Sequence, residues 1–315
     1  MAKYKKTRTG LVFLIIFIAL AISAVAVTLS SYDIIEGVPT WNNVLGQEDT
    51  SEVAKVGENK DRVCFIDCGQ GDCETLISGE HVTVIDSGPQ STKHQTIQQL
   101  KDLGITNIEN LILTHPHEDH IGGAYDILDN FNVSKIYMVK PSKSNTPKTK
   151  VYLNLLEKIS SKGLSITQPE IGGTIQSGDF KMKFLSPDKV YDDHNNNSIV
   201  IRADVDNKSF LFTGDAEKEP ENQMLKKYRS DLDCDVLKVG HHGSHTSTSD
   251  NFLKAVSPSI AVIEVGTGND YGHPKGSTLK KLSNCKIYRT DLNGMIVITV
   301  DNRNLNVITQ KEKSQ

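Results

Sequence analysis

The 315 residues contain no CxxC pair, no tandem repeat and no low-complexity segment. The five cysteines, Cys64, Cys68, Cys73, Cys234 and Cys285, are an odd number, so at least one has no partner within the chain. On an extended strand Cys64 and Cys68 would stand about 13 Å apart, beyond the reach of a disulfide. All five therefore read as small buried apolar residues. Aromatic residues are scarce, at 6% with a single Trp, and do not interleave with basic ones as in a groove for single-stranded nucleic acid. Basic charge is also short. Of 35 Lys and Arg, four lie in the first ten residues, which leaves 31 against 39 Asp and Glu. A body acidic by 8 is not built to hold long duplex DNA by counterion release. The glycine turn GQGD (69–72) lacks the Lys of a phosphate-binding P-loop.

The N-terminus differs from all that follows. Residues 1–10 form a basic leader with Lys3, Lys5, Lys6 and Arg8 and no acid. The run Leu11–Leu29 is uncharged. As a helix its nineteen residues would extend roughly 28 Å, the thickness of a bilayer core. The expectation is a transmembrane anchor over 11–30 with the leader in the cytoplasm and the remainder extracytoplasmic. A signal peptide cleaved near Ala24-Val25-Ala26 is the alternative. Residues 31–60 read as a polar stalk, and 61–315 as one folded domain.

Within that domain short apolar runs broken by glycine alternate with helical periodicity. RVCF, CETLIS, HVTVID, NLILT, KIYMV, DFKMKFLS, CDVLKV, SIAVIEV, CKIYRT and GMIVITV read as strands. Residues 92–104, 146–163 and 217–228 read as helices, and SIVIRADVDNKSFLF as a hairpin turning at Asp206-Asn207. The pattern predicts an α/β fold, with two sheets packed face to face and helices outside.

Four apolar strands end in side chains able to bind metal. Asp86 follows VTVI, His115 follows LILT, Asp215 follows FLFTG, and His241 and His242 follow LKVG. Ligand sites in α/β proteins gather at such carboxyl ends. In LILTHPHEDHIGG (111–123), His115 and His117 project to one side of an extended segment and can chelate one ion. Asp119 and His120 follow where the chain turns, and can hold a second. HEDH places His117 and His120 three apart, so the helical H-E-x-x-H zinc motif is excluded.

FIDCGQGDCETLI, VIDSGP, THPHEDHIGG, LFTGDAE, LKVGHHGS and YGHP together resemble the hydrolase domain of the ComEC family of DNA-uptake proteins, within the metallo-β-lactamase fold superfamily. The likeness runs from about residue 61 to 300. It implies an αββα four-layer sandwich with a dinuclear metal site along one edge. His115 and His117 would then hold one ion, Asp119 and His120 the other, and Asp215 would bridge them. His241 or His242 would complete the second site, with His241 favoured because it follows the strand more directly. Asp86 would orient a ligand histidine from behind. The third ligand of the first ion would be His194, or Asn197 in its place.

Two divalent ions, zinc first and manganese or iron as alternatives, would supply a hydroxide and polarise a phosphoryl group. Asp119 and Asp215 would be catalytic, with Asp119 or a nearby histidine accepting and returning a proton. His273 in YGHP would bind phosphate or serve the leaving group, and Ser244 and His245 would face the substrate. The expected activity is that of a phosphodiesterase or nuclease on a phosphodiester substrate such as DNA. Alternatives are an esterase for a small or cell-wall phosphoester such as a phosphorylcholine ester, and a binding module with a degenerate metal site.

Overall fold

The computed structural model describes residues 16–26, 28, 51–58, 60–301 and 303–311. The chain divides into two compact units at Thr50/Ser51. In the first, residues 16–26 are helical and Phe17, Leu20, Ile22 and Val25 are exposed. Among the described residues no helix is long and apolar enough to cross a membrane. The basic leader, the first part of the expected span and most of the expected stalk lie outside the described residues. Residues 51–58 belong to the second unit. There the short helix Ser51–Ala54 buries Val53 and Ala54, and the Arg62 guanidinium donates to the carbonyls of Ala54 and Val56.

The second unit contains fifteen strands among its described residues. They are β1 (Arg62–Phe65), β2 (Cys73–Ser78), β3 (His81–Asp86), β4 (Asn107–Leu113), β5 (Asn132–Met138), β6 (Ile166–Thr167), β7 (Thr174–Ser177) and β8 (Phe180–Ser186). After these come β9 (Val200–Val205), β10 (Lys208–Phe212), β11 (Val236–Lys238), β12 (Ile260–Ile263), β13 (Lys286–Arg289), β14 (Ile296–Asp301) and β15 (Asn304–Thr309). One eight-stranded sheet runs β15-β14-β1-β2-β3-β4-β5-β6, and one seven-stranded sheet runs β13-β12-β11-β10-β9-β8-β7.

Alternation along each strand builds the layers. In β1, Val63 and Phe65 join the core between the sheets, while Cys64 turns to the outer core under the helices Lys93–Asp102, Ala124–Asn130 and Lys150–Ser161. The central core takes Phe180, Met182, Phe210 and Phe212 from the other sheet, and Phe65 meets Phe212 with ring centroids 6.1 Å apart. A third core lies beneath the helices Lys218–Lys227 and Asp250–Val256. This is the expected αββα arrangement. Four of the five thiols are buried and all five are free.

The predicted hairpin turn has Asp206 and Asn207 both at positive φ, as a two-residue type I′ turn requires. GMIVITV does not close the second sheet. It crosses back as β14 to pair antiparallel with β1, and carries β15 with it.

The topology also fixes the site. β3 and β4 are parallel neighbours in one sheet, and β10, β11 and β12 are parallel neighbours in the other. Their carboxyl ends deliver Asp86, His115, Asp215, His242 and Glu264 to one edge.

Candidate metal centre

The segment after β4 is held from behind by Asp86. Its carboxylate accepts from the backbone N–H and hydroxyl of Thr114, at 2.8 and 2.6 Å, and from Nδ1 of His120 at 2.7 Å. A carboxylate on Nδ1 fixes the proton there and leaves Nε2 as a bare donor atom. That Nε2 is buried, makes no hydrogen bond, and lies 3.4 Å from Oδ1 of Asp215, itself buried and unpartnered. His242 is set up in the same way. Its Nδ1 faces the Glu264 carbonyl at 3.0 Å and Oδ1 of Asp72 at 3.2 Å. Its Nε2 looks toward Asp119 at 3.3 Å and Asp215 at 3.8 Å. Asp119, His120, Asp215 and His242 thus offer four donor atoms within 4.8 Å of one another. Two imidazole nitrogens, two carboxylates and two orphaned buried atoms suit a divalent cation.

The other carboxylate oxygen of Asp215 faces a second group. Oδ2 lies 3.9 Å from Nε2 of His115 and 3.6 Å from Nε2 of His241. Nε2 of His115 in turn stands 3.0 Å from Nδ1 of His117, and the His194 ring lies 5.6 Å from that of His117. The Nδ1 atom of His194 is buried without a partner. Asn197, the alternative to His194, is fully engaged elsewhere. Its side chain accepts from the Tyr191 N–H at 2.7 Å and donates to the carbonyls of Tyr191 and Asp193 at 2.8 Å each.

Charge follows the same division. Burial opposes protonation of His120, yet Asp215, Asp86, Asp119 and Asp72 raise it well above the imidazole range. Burial also works against a charged His242, but Asp215 and Asp72 push it up to about 10. Burial, reinforced by His120, instead drives His115 well below that range. Against burial, His120 and His242 hold Asp215 well below the carboxylate range. Without a cation, the proton on each of His120 and His242 supplies the charge that balances Asp119 and Asp215. A metal among these four residues would replace those protons.

The favoured order of the two GHHG histidines is reversed by the backbone. His241 and His242 both have φ of 51°, a left-handed kink that turns successive side chains away from strand alternation. His242 enters the four-residue group. His241 stands on the Oδ2 side of Asp215, braced at Nδ1 by Thr246 at 3.1 Å and Glu217 at 3.3 Å.

A cavity of about 560 Å³ opens above the cluster, and its lining includes Gln70, Ser91, Asn195, Tyr271 and His273. The His273 ring meets that of His241 edge-on at 5.7 Å, and burial together with His241 and His242 lowers its pKa to about 4. Ser244 and His245 are not part of this lining. Ser244 is buried with its hydroxyl on that of Thr246 at 3.1 Å, and His245 points outward, exposed. Their loop braces His241 through Thr246.

Four residues that the sequence reading did not single out form the floor behind His242. Lys238, fully buried at the end of β11, pairs with Asp72, and Glu74 and Glu264 stand beside them. Burial works against the charge on Asp72, but Lys238 and His242 bring it down to about 2. Glu264 is pushed up to about 8 by burial and by Asp72. The signal was present in the sequence, since a Lys in CDVLKVG and a Glu in SIAVIEVG interrupt otherwise apolar strands. The GQGD turn brings Asp72 into place. A side chain at Gly71 would strike the Asp119 carbonyl at 2.2 Å, so only glycine lets the Asp72 N–H reach that carbonyl at 3.2 Å.

Known proteins share this frame. Residues 67–266 match the metallo-beta-lactamase superfamily. The chain is 32% identical over 263 residues to ComE operon protein 3 of Bacillus subtilis (strain 168), covering 76% of this chain and 33% of that protein. It is 28% identical over 253 residues to competence protein ComA of Neisseria gonorrhoeae, covering 76% of this chain and 32% of that protein. The chain therefore spans about a third of the length of these relatives. Among solved structures, CmlA, a diiron β-hydroxylase from Streptomyces venezuelae, has a similar fold, with a TM-score of 0.52 at 12% identity over 87% of this chain and 62% of that one. The family match over most of the folded unit agrees with its two sheets and with the histidines and carboxylates at their shared edge: the chain belongs to the metallo-beta-lactamase superfamily.

Proposed function

We propose that this domain is a metal-dependent phosphodiesterase that acts on nucleic-acid strands. The observation that carries the reading is the placement of Asp215. One carboxylate oxygen faces His120 and His242, which stand with Asp119, and the other faces His115 and His241, so a cation held on either side would have Asp215 among its ligands. Asp119, His120, Asp215 and His242 would hold one ion, and His115, His117 and Asp215, with His194 or His241 beside them, the other. Zinc leads the choice, with manganese or iron compatible with a donor set of nitrogen and oxygen alone. Bound cations of this kind supply a hydroxide at neutral pH and polarise the phosphoryl group under attack.

The chain's own residues provide the rest. Asp119 lies in the cavity wall against His242 and can take a proton and give it back. His273, neutral near pH 7, can hold a phosphoryl oxygen by an N–H hydrogen bond, which fits its surroundings better than proton donation to a leaving group. Asp86 and the pair Asp72–Lys238 keep His120 and His242 aimed.

The resemblance to the ComEC family of DNA-uptake proteins, with a competence protein and a ComE operon protein among the relatives, supports DNA as the polymer. The acidic body favours a single strand or a frayed end over long duplex. We place the domain outside the cytoplasmic membrane, anchored by its N-terminal segment. The uncharged run Leu11–Leu29, the basic leader and the uncovered apolar side chains on 16–26 support that location.

The test measures bound metal and hydrolysis of bis(p-nitrophenyl) phosphate and of single- and double-stranded DNA, with Asp215→Ala as control. Bound metal and cleavage lost in the variant are expected. A metal-loaded protein that cleaves no phosphodiester would sink the proposal.

A further inference from the structure

Tyr271 is the most exposed large apolar side chain described in residues 51–311, at 63%, and it lines the cavity over the metal centre. A single exposed ring is ordinary on a protein surface; this one is set apart by its position at the cavity and by the ring contact that joins it to His273.

The loop that carries it is fixed at both ends. Gly266 donates to the Gln70 carboxamide at 3.1 Å, and the Lys275 N–H donates to the Gly243 carbonyl at 3.0 Å. Between these anchors the Asn269 side chain closes the loop on itself. It donates to the carbonyls of Gly266 and His273 at 3.0 and 2.7 Å and accepts from the His273 N–H at 2.9 Å. The Tyr271 ring lies nearly parallel to His273, 24° between planes and 5.7 Å between centroids. His273 then meets His241 at 5.7 Å, and His241 reaches Asp215 at 3.6 Å. A ladder of rings runs from the cavity rim to the metal cluster in two equal steps. The Lys275 ammonium is tied to the Tyr271 carbonyl at 2.6 Å, which sets a positive charge beside the platform.

We propose that Tyr271 is the stacking platform for a nucleobase next to the scissile phosphate, and so determines specificity for base-bearing strands. This rests on the phosphodiesterase reading and names its substrate class. An exposed ring on a loop held at both ends, nearly parallel to an imidazole, offers a face to a flat π-system, and every base has such a face. The ladder gives the base a fixed distance from the reacting phosphate, while Lys275 suits the neighbouring phosphate. A quaternary ammonium group such as choline is disfavoured. Its binding calls for a cage of several aromatic rings, and here a single exposed tyrosine stands with a lysine ammonium on its own carbonyl. The chain thus achieves with one preorganised ring what its composition rules out as a continuous aromatic groove.

The experiment compares the full chain with Tyr271→Ala and Tyr271→Phe, all metal-loaded. The substrates are a single-stranded pentanucleotide, the same strand with tetrahydrofuran abasic residues, and a phosphorylcholine ester. Binding of an uncleavable methylphosphonate pentanucleotide is followed by fluorescence anisotropy. The parent is expected to prefer the base-bearing strand. Tyr271→Ala should lose at least about fivefold in kcat/KM and in affinity on base-bearing strands, the low end of base–aromatic stacking, and nothing on the abasic strand. Tyr271→Phe should keep the preference. Equal cleavage of both strands by the parent, or equal losses on both in Tyr271→Ala, overturns the inference and leaves the phosphodiesterase reading standing. Selective loss of phosphorylcholine ester cleavage in Tyr271→Ala overturns it in favour of a choline site. A metal-loaded parent that cleaves no phosphodiester overturns the underlying reading itself.

Discussion

Lys238→Met removes the lysine from a floor that holds Asp72, Glu74 and Glu264, all buried, and leaves His242 as the cation beside Asp72. The methionine keeps most of the volume of the stem, so packing around β11 changes little. What changes is the electrostatics. At contact distance, roughly 3 Å, an effective dielectric of about 20 makes the Lys238–Asp72 attraction about 5 kcal/mol. Removing one partner of a buried pair costs roughly 3–5 kcal/mol, because the other is left uncompensated. Part of that cost returns because the charged His242 still faces Asp72 at 3.2 Å, so about 3 kcal/mol, the low end, is the expected loss. Urea unfolding of the full chain in the presence of a chelator measures it without interference from metal binding. The double variant Asp72→Leu/Lys238→Met should be more stable than Lys238→Met alone, because no buried charge is then stranded. A single variant within about 1 kcal/mol of the parent, or a double variant less stable than the single, would refute the reasoning.

Further outcomes follow from the same geometry. His242→Ala should reduce metal content, measured by competition with a chromophoric chelator, more than His241→Ala does, since His242 stands within the four-donor group. Asp86→Asn should weaken metal binding roughly 10–100-fold with little loss of fold, read by titration calorimetry. Asn197→Ala should cost about 1–3 kcal/mol through its three hydrogen bonds while metal content holds, whereas His194→Ala should do the reverse. Finally, His242 in the metal-free protein is raised to about 10 from an unfolded value of about 6.5. Its contribution is therefore complete below pH 6.5 and is lost as pH climbs toward 10, and Glu264, raised to about 8, acts in the same direction from about pH 4.5. Thermal midpoints in chelator should fall between pH 6.5 and 9.5; a flat or rising profile would contradict the assignment.

The amphipathic helices and alternating strands were readable because periodicity reports burial directly, as in Lys150–Ser161 and in β1. So were the strand ends that carry Asp86, His115 and Asp215, since an apolar run that stops at a ligand residue marks a carboxyl edge. The distinction between His241 and His242 was not readable. It depends on two successive left-handed residues, a backbone choice that tertiary packing imposes on a sequence with no intrinsic preference for it. The role of Asp72 was hidden for a related reason. Its partners Lys238, His242 and Glu264 lie more than 160 positions away, and a single acid after glycine carries no sign of them. The placement of Ser244 and His245 was not readable either, because which side chains of a polar loop face a cavity is set by packing; here the Ser244 hydroxyl is engaged with Thr246 and His245 is exposed away from the lining.

The return of β14 to the side of β1 has a consequence for the order in which the domain can be completed. β1 has β2 on one side from the start, but its other neighbour is supplied by residues 296–301, near the end of the unit. Until that strand arrives, β1 is an open edge whose Val63 and Phe65 lack the cover of Ile296 and Ile298 in the central core. A chain cut before β14 would therefore keep every candidate metal ligand in its sequence and still lack the strand that closes the sheet beneath them.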